Sequence, residues 1–168
     1  MLLSSKFSDI HFHCPDGTIL HAHRNVLSAA NPYFATVFEG PWDDEHPNGV
    51  WKTSNSAKLM KVILAYIYIG VKKGDEISDQ ALAILSLAHE YELTMLVKAA
   101  ETTLIQQIEE ENVKELLQSS ILYNLKKLKR SCFDFIKKNA IKVLTNKEFM
   151  KLATEDEALW SELRSFLL

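Results

Sequence analysis

The hydrophobic pattern changes its period once along this chain of 168 residues, and this change limits the possible folds more than any other feature. Residues 9–14 (DIHFHC) and 18–22 (TILHA) alternate apolar and polar side chains around the turn triplet 15–17 (PDG), which is typical of a β-hairpin. From residue 56 onward the apolar residues recur every three or four positions, which is typical of helices. The sequence therefore predicts an α+β chain, with a small sheet near the N-terminus and a long helical region after it.

Local signals divide these regions into elements. Residues 24–30 favour a short helix, and a second helix is expected to begin with Asn31 as its N-cap and Pro32 at its first position. Residues 40–49 combine Gly, Pro, Trp and acidic residues, which predicts an exposed loop before a third strand at 50–52. The pairs Thr145/Glu148 and Thr154/Glu157 have the spacing of capping boxes and predict two late helix starts. Further helices are expected at about 56–69, 78–89, 92–108, 111–122 and 124–140.

Composition excludes several classes of protein. With 47% hydrophobic residues, 24% charged residues, five Gly and four Pro, the chain is neither collagen-like nor disordered, and it can bury one core or one domain with a smaller appendage. Its apolar runs are much shorter than the roughly 20 residues of a membrane-spanning helix, and its N-terminus turns polar too early for a secretory signal. Because Cys14 and Cys132 lie far apart in such a chain, we expect an intracellular protein with reduced thiols.

Sequence motifs for catalysis are missing. The chain has no Gly-x-Ser-x-Gly elbow, no His-Glu-x-x-His and no glycine-rich phosphate loop, and Cys132 has the mid-helix position of a buried thiol. A metal site would need three or four ligands in a tetrahedron, and only the lone Cys14 is spaced to complete a set of histidines on the two predicted strands. These histidines are His11, His13, His21 and His23. We therefore expect neither an enzyme nor a metal or other cofactor.

Residues 22–34 (AHRNVLSAANPYF) closely resemble the signature of BTB/POZ domains. Three further blocks match the family on either side: residues 7–10 resemble its first core strand, 63–70 a helix end, and 83–96 a helix pair. The resemblance implies a BTB/POZ fold over residues 1–108, in which a small three-stranded sheet is flanked by a cluster of helices. His23 would hydrogen-bond inside a strand-to-helix junction. The fold-determining residues would be Asp9, His23, Leu27, Tyr33, Phe34, Tyr68 and Gly70.

Residues 111–152 resemble the helix pair that follows the BTB domain in many cullin adaptors, which is called the 3-box or the beginning of a BACK domain. The spacing compares best with speckle-type adaptors, which combine a MATH and a BTB domain, although this chain contains no MATH domain. The resemblance implies an all-α extension of the 3-box or BACK type over residues 109–168.

What the family implies for function is a homodimerising adaptor that brings cullin-3, and with it the ubiquitin-transfer machinery, to a substrate held by another domain. The hydrophobic-x-Glu pattern of the family's cullin contact falls on residues 42–44, with Asp in place of Glu. The cullin-binding residues would be Phe38, Trp42, Asp44, Tyr91, Leu116 and Tyr123. Because few residues precede Asp9, we expect a monomer or a weak dimer, with an interface formed by Leu2, Leu3 and Phe7.

Three questions stay open on the sequence. Trp42 is either an interface anchor or a side chain that folds back onto the core. Residues 124–151 contain nine Lys or Arg and two acids, a net charge of +7 that leaves −10 for the remainder of a chain with a total of −3. This segment is either a basic face for an acidic partner, such as a nucleic acid, or a solvated helix face. The BTB domain, in turn, has a second possible function, as an oligomerisation or corepressor-recruiting module of a transcriptional regulator.

Overall fold

A computed structural model describes residues 4–70 and 77–168, with the side chains of all of them except Asp43 and Ser78. Contacts divide the chain into two compact units, Met1–Ala100 and Glu101–Leu168, called here the first and the second unit.

The first unit contains a three-stranded sheet with the strand order β2-β1-β3. Strand β1 (Ile10–His13) pairs antiparallel with β2 (Ile19–Ala22) and parallel with β3 (Val50–Lys52). The predicted hairpin and third strand are thus confirmed. Alternation places Ile10, Phe12, Leu20 and Ala22 on one face, where each is at most 4% exposed. This apolar face is the part of the sheet that the helices cover.

The helices of the first unit follow the predicted order. They are α1 (Arg24–Ala30), α2 (Pro32–Glu39), α3 (Trp42–Glu45), α4 (Ala57–Ile69), α5 (Ala81–Glu90) and the beginning of α6 (Thr94–Gln106), with short 3-10 turns at Pro47–Gly49 and Ser78–Gln80. The expected loop over 40–49 is wrong, because this segment forms α3 and a 3-10 turn. The physical reason is Trp42, whose burial holds the segment against the sheet.

Three residues cap helices α2 and α4, and the first of them, Asn31, is the N-cap predicted from the sequence. The Asn31 Oδ1 accepts from the Tyr33 N–H at 2.7 Å, and the Asn31 Nδ2 donates to the Tyr91 carbonyl at 2.9 Å, so this side chain starts α2 and ties it to the end of α5. The Ser56 hydroxyl caps the start of α4. Gly70 ends α4 with a φ of +82°, a conformation that other residues rarely adopt.

The fold-determining residues implied by the resemblance meet around His23, which is 4% exposed. The Tyr68 hydroxyl accepts from the His23 backbone N–H at 2.8 Å and lies 2.9 Å from His23 Nδ1, while His23 Nε2 lies 3.0 Å from the Lys6 carbonyl. With the proton on Nε2, every one of these contacts is a hydrogen bond. The Asp9 carboxylate accepts from the Arg24 N–H at 2.8 Å and so caps α1. His23 therefore joins the β2–α1 junction to α4 and to the N-terminal segment.

Removing the Tyr68 hydroxyl is expected to lower the free energy of unfolding by about 1–3 kcal/mol, because it leaves a buried backbone N–H without an acceptor. The change is Tyr68→Phe, measured by urea denaturation. The control is Tyr66→Phe, since the Tyr66 hydroxyl makes no hydrogen bond within the described residues. Equal stability of both variants would show that the hydrogen bonds between Tyr68 and His23 do not stabilise the fold.

The second unit is all-helical. It contains the end of α6, then α7 (Val113–Leu122), α8 (Lys126–Lys138), α9 (Ala140–Thr145), α10 (Lys147–Met150), α11 (Leu152–Glu155) and α12 (Glu157–Leu167). Its core includes Leu117, Leu128, Cys132, Ile136, Leu152 and Leu163, which are all fully buried.

The two predicted capping boxes of the second unit are wrong. Asn146 and Asp156 cap α10 and α12, since their side chains accept backbone N–H groups there. Thr145 and Thr154 instead donate their hydroxyls back to carbonyls of the preceding turn. At each of these helix starts, an Asn or Asp one or two residues after the Thr takes the capping position, and the Thr satisfies its hydroxyl within the preceding helix.

Within the described ranges, no helix has the length and apolar character required to cross a bilayer.

Candidate protein-interaction surface

Trp42 lies inside an aromatic cluster of the first unit and is 2% exposed. Its ring stacks on His46 with a centroid distance of 3.6 Å, and lies 4.9 Å from Phe38 and 5.0 Å from Trp51. The prediction that Trp42 is an exposed apolar plug is therefore wrong, and the alternative of a side chain folded onto the core is the one observed. Helix α3 places Trp42 and His46 four residues apart on one face, and β3 supplies Trp51 from the other side.

Tyr91 and Leu116, also predicted to contact a partner, are buried at 1% and 3% exposure. Tyr91 packs against Tyr33 and Phe34 at ring distances of 5.2 and 5.1 Å. Burial raises the pKa of the Tyr91 phenol far above its ordinary value, with a smaller contribution from the carboxylate of Glu90. The surface placement of these two side chains is corrected, because Leu116 lies on the buried side of α7 and the Tyr91 ring, directly after α5, packs on the rings of α2.

The remaining predicted contact residues do reach solvent. Asp44 is exposed on α3, Phe38 is half-buried at the end of α2, and Tyr123 is half-buried after α7. Two further exposed carboxylates, Glu39 and Glu45, flank Asp44 along the chain. These three acids with the ring of Phe38 form what is called here the acidic edge: Glu39, Asp44, Glu45 and Phe38. An edge of this kind offers a partner carboxylates around an apolar contact.

Two residues of the aromatic cluster were not singled out from the sequence. They are His46 and Trp51, and the spacing of His46 four residues after Trp42 was the available signal. The Trp42 Nε1 and the His46 Nδ1 are buried without a hydrogen-bond partner in the described part of the chain. The cluster is thus held by ring packing and not by polar contacts.

The predicted dimer residues fall at the N-terminus. Leu2 and Leu3 lie outside the described residues. Phe7 is 85% exposed and has a φ of +60°, which is strained for an aromatic residue. Its neighbour Ser8 donates both its N–H and its hydroxyl to the Ser5 carbonyl, so a short turn presents Phe7 to solvent.

The strand histidines separate into two environments. The hairpin register places His11 opposite His21, and their Nδ1 atoms lie 2.9 Å apart. The two ring nitrogens of His23 are hydrogen-bonded to the Tyr68 hydroxyl and the Lys6 carbonyl. Among residues 4–70 and 77–168, no group of three or more His, Cys, Asp or Glu side chains is arranged to hold a metal ion.

Stability is expected to fall as the pH drops through the titration range of His11. Burial, and next the nearby His21 and His13, lower the pKa of His11, while Asp9 opposes this shift. The unfolded chain therefore binds more protons than the folded chain just below the ordinary histidine pKa of about 6.5. Urea denaturation at about pH 7.5 and about pH 5.5 measures the difference, and His11→Gln should reduce it. An unchanged pH dependence in His11→Gln would contradict this assignment.

Comparison with known proteins gives the family. Residues 1–108 match the BTB/POZ domain family. Two BTB/POZ domain-containing proteins of Arabidopsis thaliana, At1g21780 and At1g55760, are 34% and 32% identical to the chain over 139 and 138 residues. These alignments cover 80% and 82% of this chain but only 42% and 41% of the relatives. BTB/POZ domain-containing protein 9 of Bos taurus is 28% identical over 155 residues, which cover 91% of this chain and 25% of that protein.

Among solved structures, the BTB domain of human Gigaxonin matches with a TM-score of 0.44 and 26% identity, over 57% of this chain and 76% of that one. The chain spans less than half the length of the curated relatives it matches. The family match covers the sheet, helices α1 to α5 and the whole of α6, and it includes the segment around His23 that carries the family signature. The chain therefore belongs to the BTB/POZ domain family.

Proposed function

We propose that this chain is the cullin-3-binding part of a substrate adaptor for a RING ubiquitin ligase. A BTB/POZ domain is a protein–protein interaction module, and the chain has such a domain over residues 1–108. The observation that carries the finer proposal is the all-helical unit that follows. Helices α7 and α8 of this unit lie within the residues that resemble a 3-box pair, and their side chains Val113, Leu117 and Leu128 are fully buried.

The proposed cullin contact is the acidic edge on α2 and α3, and Tyr123, directly after α7, is a separate candidate contact. Asp44 takes the role of the acid in the family's hydrophobic-x-Glu pattern. Phe38, and not Trp42, supplies the apolar side chain, because Trp42 is enclosed by Phe38, His46 and Trp51. Trp42 then acts by fixing α3, so that Asp44 is held at the surface on a short helix.

The proposal extends to the rest of the protein. An adaptor of this kind holds its substrate through another domain, works in the cytoplasm or the nucleus, and catalyses no reaction itself. Self-association through the N-terminal segment around the exposed Phe7 completes the proposal. Sedimentation velocity over a range of concentrations measures that association.

Reversing the charge of Asp44 is expected to weaken cullin-3 binding by about tenfold or more, since loss of a charged contact at an interface costs at least about 1.4 kcal/mol. The change is Asp44→Lys, measured on immobilised cullin-3 N-terminal domain. The matched control is Asp79→Lys, an exposed acid whose ion pair with Lys58 spans 3.7 Å at the surface. Equal affinities of the two variants would remove Asp44 from the interface.

A further inference from the structure

A basic groove runs between α8 and α12 in the second unit, and neither the BTB/POZ fold nor the proposed cullin contact uses it. The groove has a volume of about 400 Å³. Its lining is formed by Lys126, Lys129, Arg130, Phe133, Glu162 and Phe166. We propose that this groove binds an acidic peptide segment of a partner protein, one that also carries an aromatic or aliphatic side chain.

The charge of the groove comes from one face of α8. This face carries a single row of side chains along the helix, because its successive members are three or four residues apart. The row consists of Lys126, Arg130, Phe133 and Lys137. Among the described residues, the one ion pair of Arg130 is with Asp134 of its own helix, at 3.4 Å, and the Arg130 side chain is 65% exposed. Lys126 and Lys137 make no ion pair within residues 4–70 and 77–168. The row therefore keeps positive charge available for carboxylates of a partner.

The one acid that lines the groove does not cancel this charge. The Glu162 carboxylate is bound by the Lys129 ammonium at 2.6 Å, so these two side chains neutralise each other across the groove. An incoming carboxylate thus meets Lys126 with no competing acid among the described residues, and at Arg130 it competes with the exposed Asp134. The pairing of α8 with α12 by Lys129 and Glu162 also holds the two walls together.

The basic residues at the start of α8 lie where they do not help the helix itself, whereas Lys137 in the last turn does complement its dipole. The first turn of α8 contains Lys126 and Lys127 and no acid. Cations at a helix N-terminus oppose the helix dipole, and the carboxylate of Glu101, which accepts from the Leu128 N–H at 3.1 Å, compensates only in part. A local arrangement that opposes stability is expected where a side chain serves a function.

The floor of the groove favours a peptide over a nucleic acid. Phe133 and Phe166 lie 5.3 Å apart and give the groove an apolar base. However, Arg130 and Lys137 cover the Phe166 ring at 4.4 and 5.3 Å, so its face is not free for a base to stack on. A mixed acidic and apolar peptide fits the cations together with the ring edges.

Fluorescence anisotropy of the full chain tests the proposal, with a labelled peptide rich in Asp and Glu that contains one Phe. The double variant Lys126→Glu with Arg130→Glu is expected to weaken binding by at least about tenfold. The matched control is Lys138→Glu with Lys147→Glu, which makes the same charge change at two exposed sites that do not line the groove. The control should bind within about twofold of the unchanged chain. Circular dichroism checks that both variants fold.

Three results would overturn the proposal. The first is absence of binding to the unchanged chain, and the second is an equal loss in both double variants, which would mean that only overall charge matters. The third is binding of a single-stranded oligonucleotide of matched charge as tightly as the peptide, which would assign the face to nucleic acid. A peptide with Ser in place of its Phe should bind several-fold more weakly, and equal binding would contradict the role of Phe133 and Phe166.

Discussion

Replacing Trp42 with alanine is expected to lower the free energy of unfolding by about 3–5 kcal/mol, as measured by urea denaturation. The change empties a site enclosed by Phe38, His46 and Trp51, with ring distances of 3.6 to 5.0 Å. The matched control is Asp44→Ala on the same short helix, where an exposed carboxylate is removed and a change below about 0.5 kcal/mol is expected.

The conservative variant Trp42→Phe separates ring packing from polar contacts. It keeps an aromatic ring in the cluster and removes an indole N–H that has no acceptor within the described residues. We expect a much smaller loss of stability than in Trp42→Ala, because burial of an unpaired N–H is itself unfavourable. A chain that unfolds like the wild type after Trp42→Ala, and yet loses partner binding, would show that Trp42 is a surface anchor after all.

Replacing Gly49 with alanine is expected to cost about 3 kcal/mol or more, because strained backbone and steric overlap act together. Gly49 has a φ of +69°, and a Cβ at this position would lie 2.3 Å from the Asp9 carbonyl oxygen. Since the Asp9 oxygen belongs to the backbone and the Cβ is fixed to the Gly49 backbone, either the turn before β3 or the start of β1 must move.

Gly17→Ala is the matched control for Gly49→Ala. Gly17 has a similar φ of +81°, but a Cβ there would meet nothing within 4 Å. It should lose only the conformational term of about 1–2 kcal/mol. Thermal and urea unfolding measure the loss of stability in each variant. The difference between the two losses is the cost of the steric overlap at Gly49 alone. Equal losses would mean that the approach of Gly49 to Asp9 is looser than in the structure.

Local signals account for the parts of the fold that the sequence predicted well. The hairpin depends on alternation around 15–17, and the start of α2 depends on the adjacent Asn31 and Pro32, so neither requires knowledge of distant residues. The family signature around His23 predicted that this residue hydrogen-bonds at a strand-to-helix junction. Its partner there, Tyr68, lies 45 residues away in the sequence. Long-range packing of this kind has no local signal of its own.

The candidate site was predicted less well for the same reason. Trp42 is kept from solvent by two residues that are outside its local sequence pattern or easily overlooked in it. Trp51 lies on β3, which pairs with β1, and His46 follows the short helix α3. Composition suggested a loop, because Pro41 and the acids of 43–45 are typical of loops. In the same way, Tyr91 is buried because its ring packs against Tyr33 and Phe34 of α2. Asp44 was placed correctly at the surface, since a charged residue without a partner avoids burial.

The most direct test of the adaptor account is calorimetric titration of the unmodified chain with the cullin-3 N-terminal domain. The account predicts saturable binding with one cullin per BTB domain, and a negative heat-capacity change from the apolar surface that is buried. If a folded chain releases no heat of binding at any accessible concentration, the cullin-adaptor proposal is contradicted, and an oligomerisation or corepressor-recruiting function of the BTB domain takes its place.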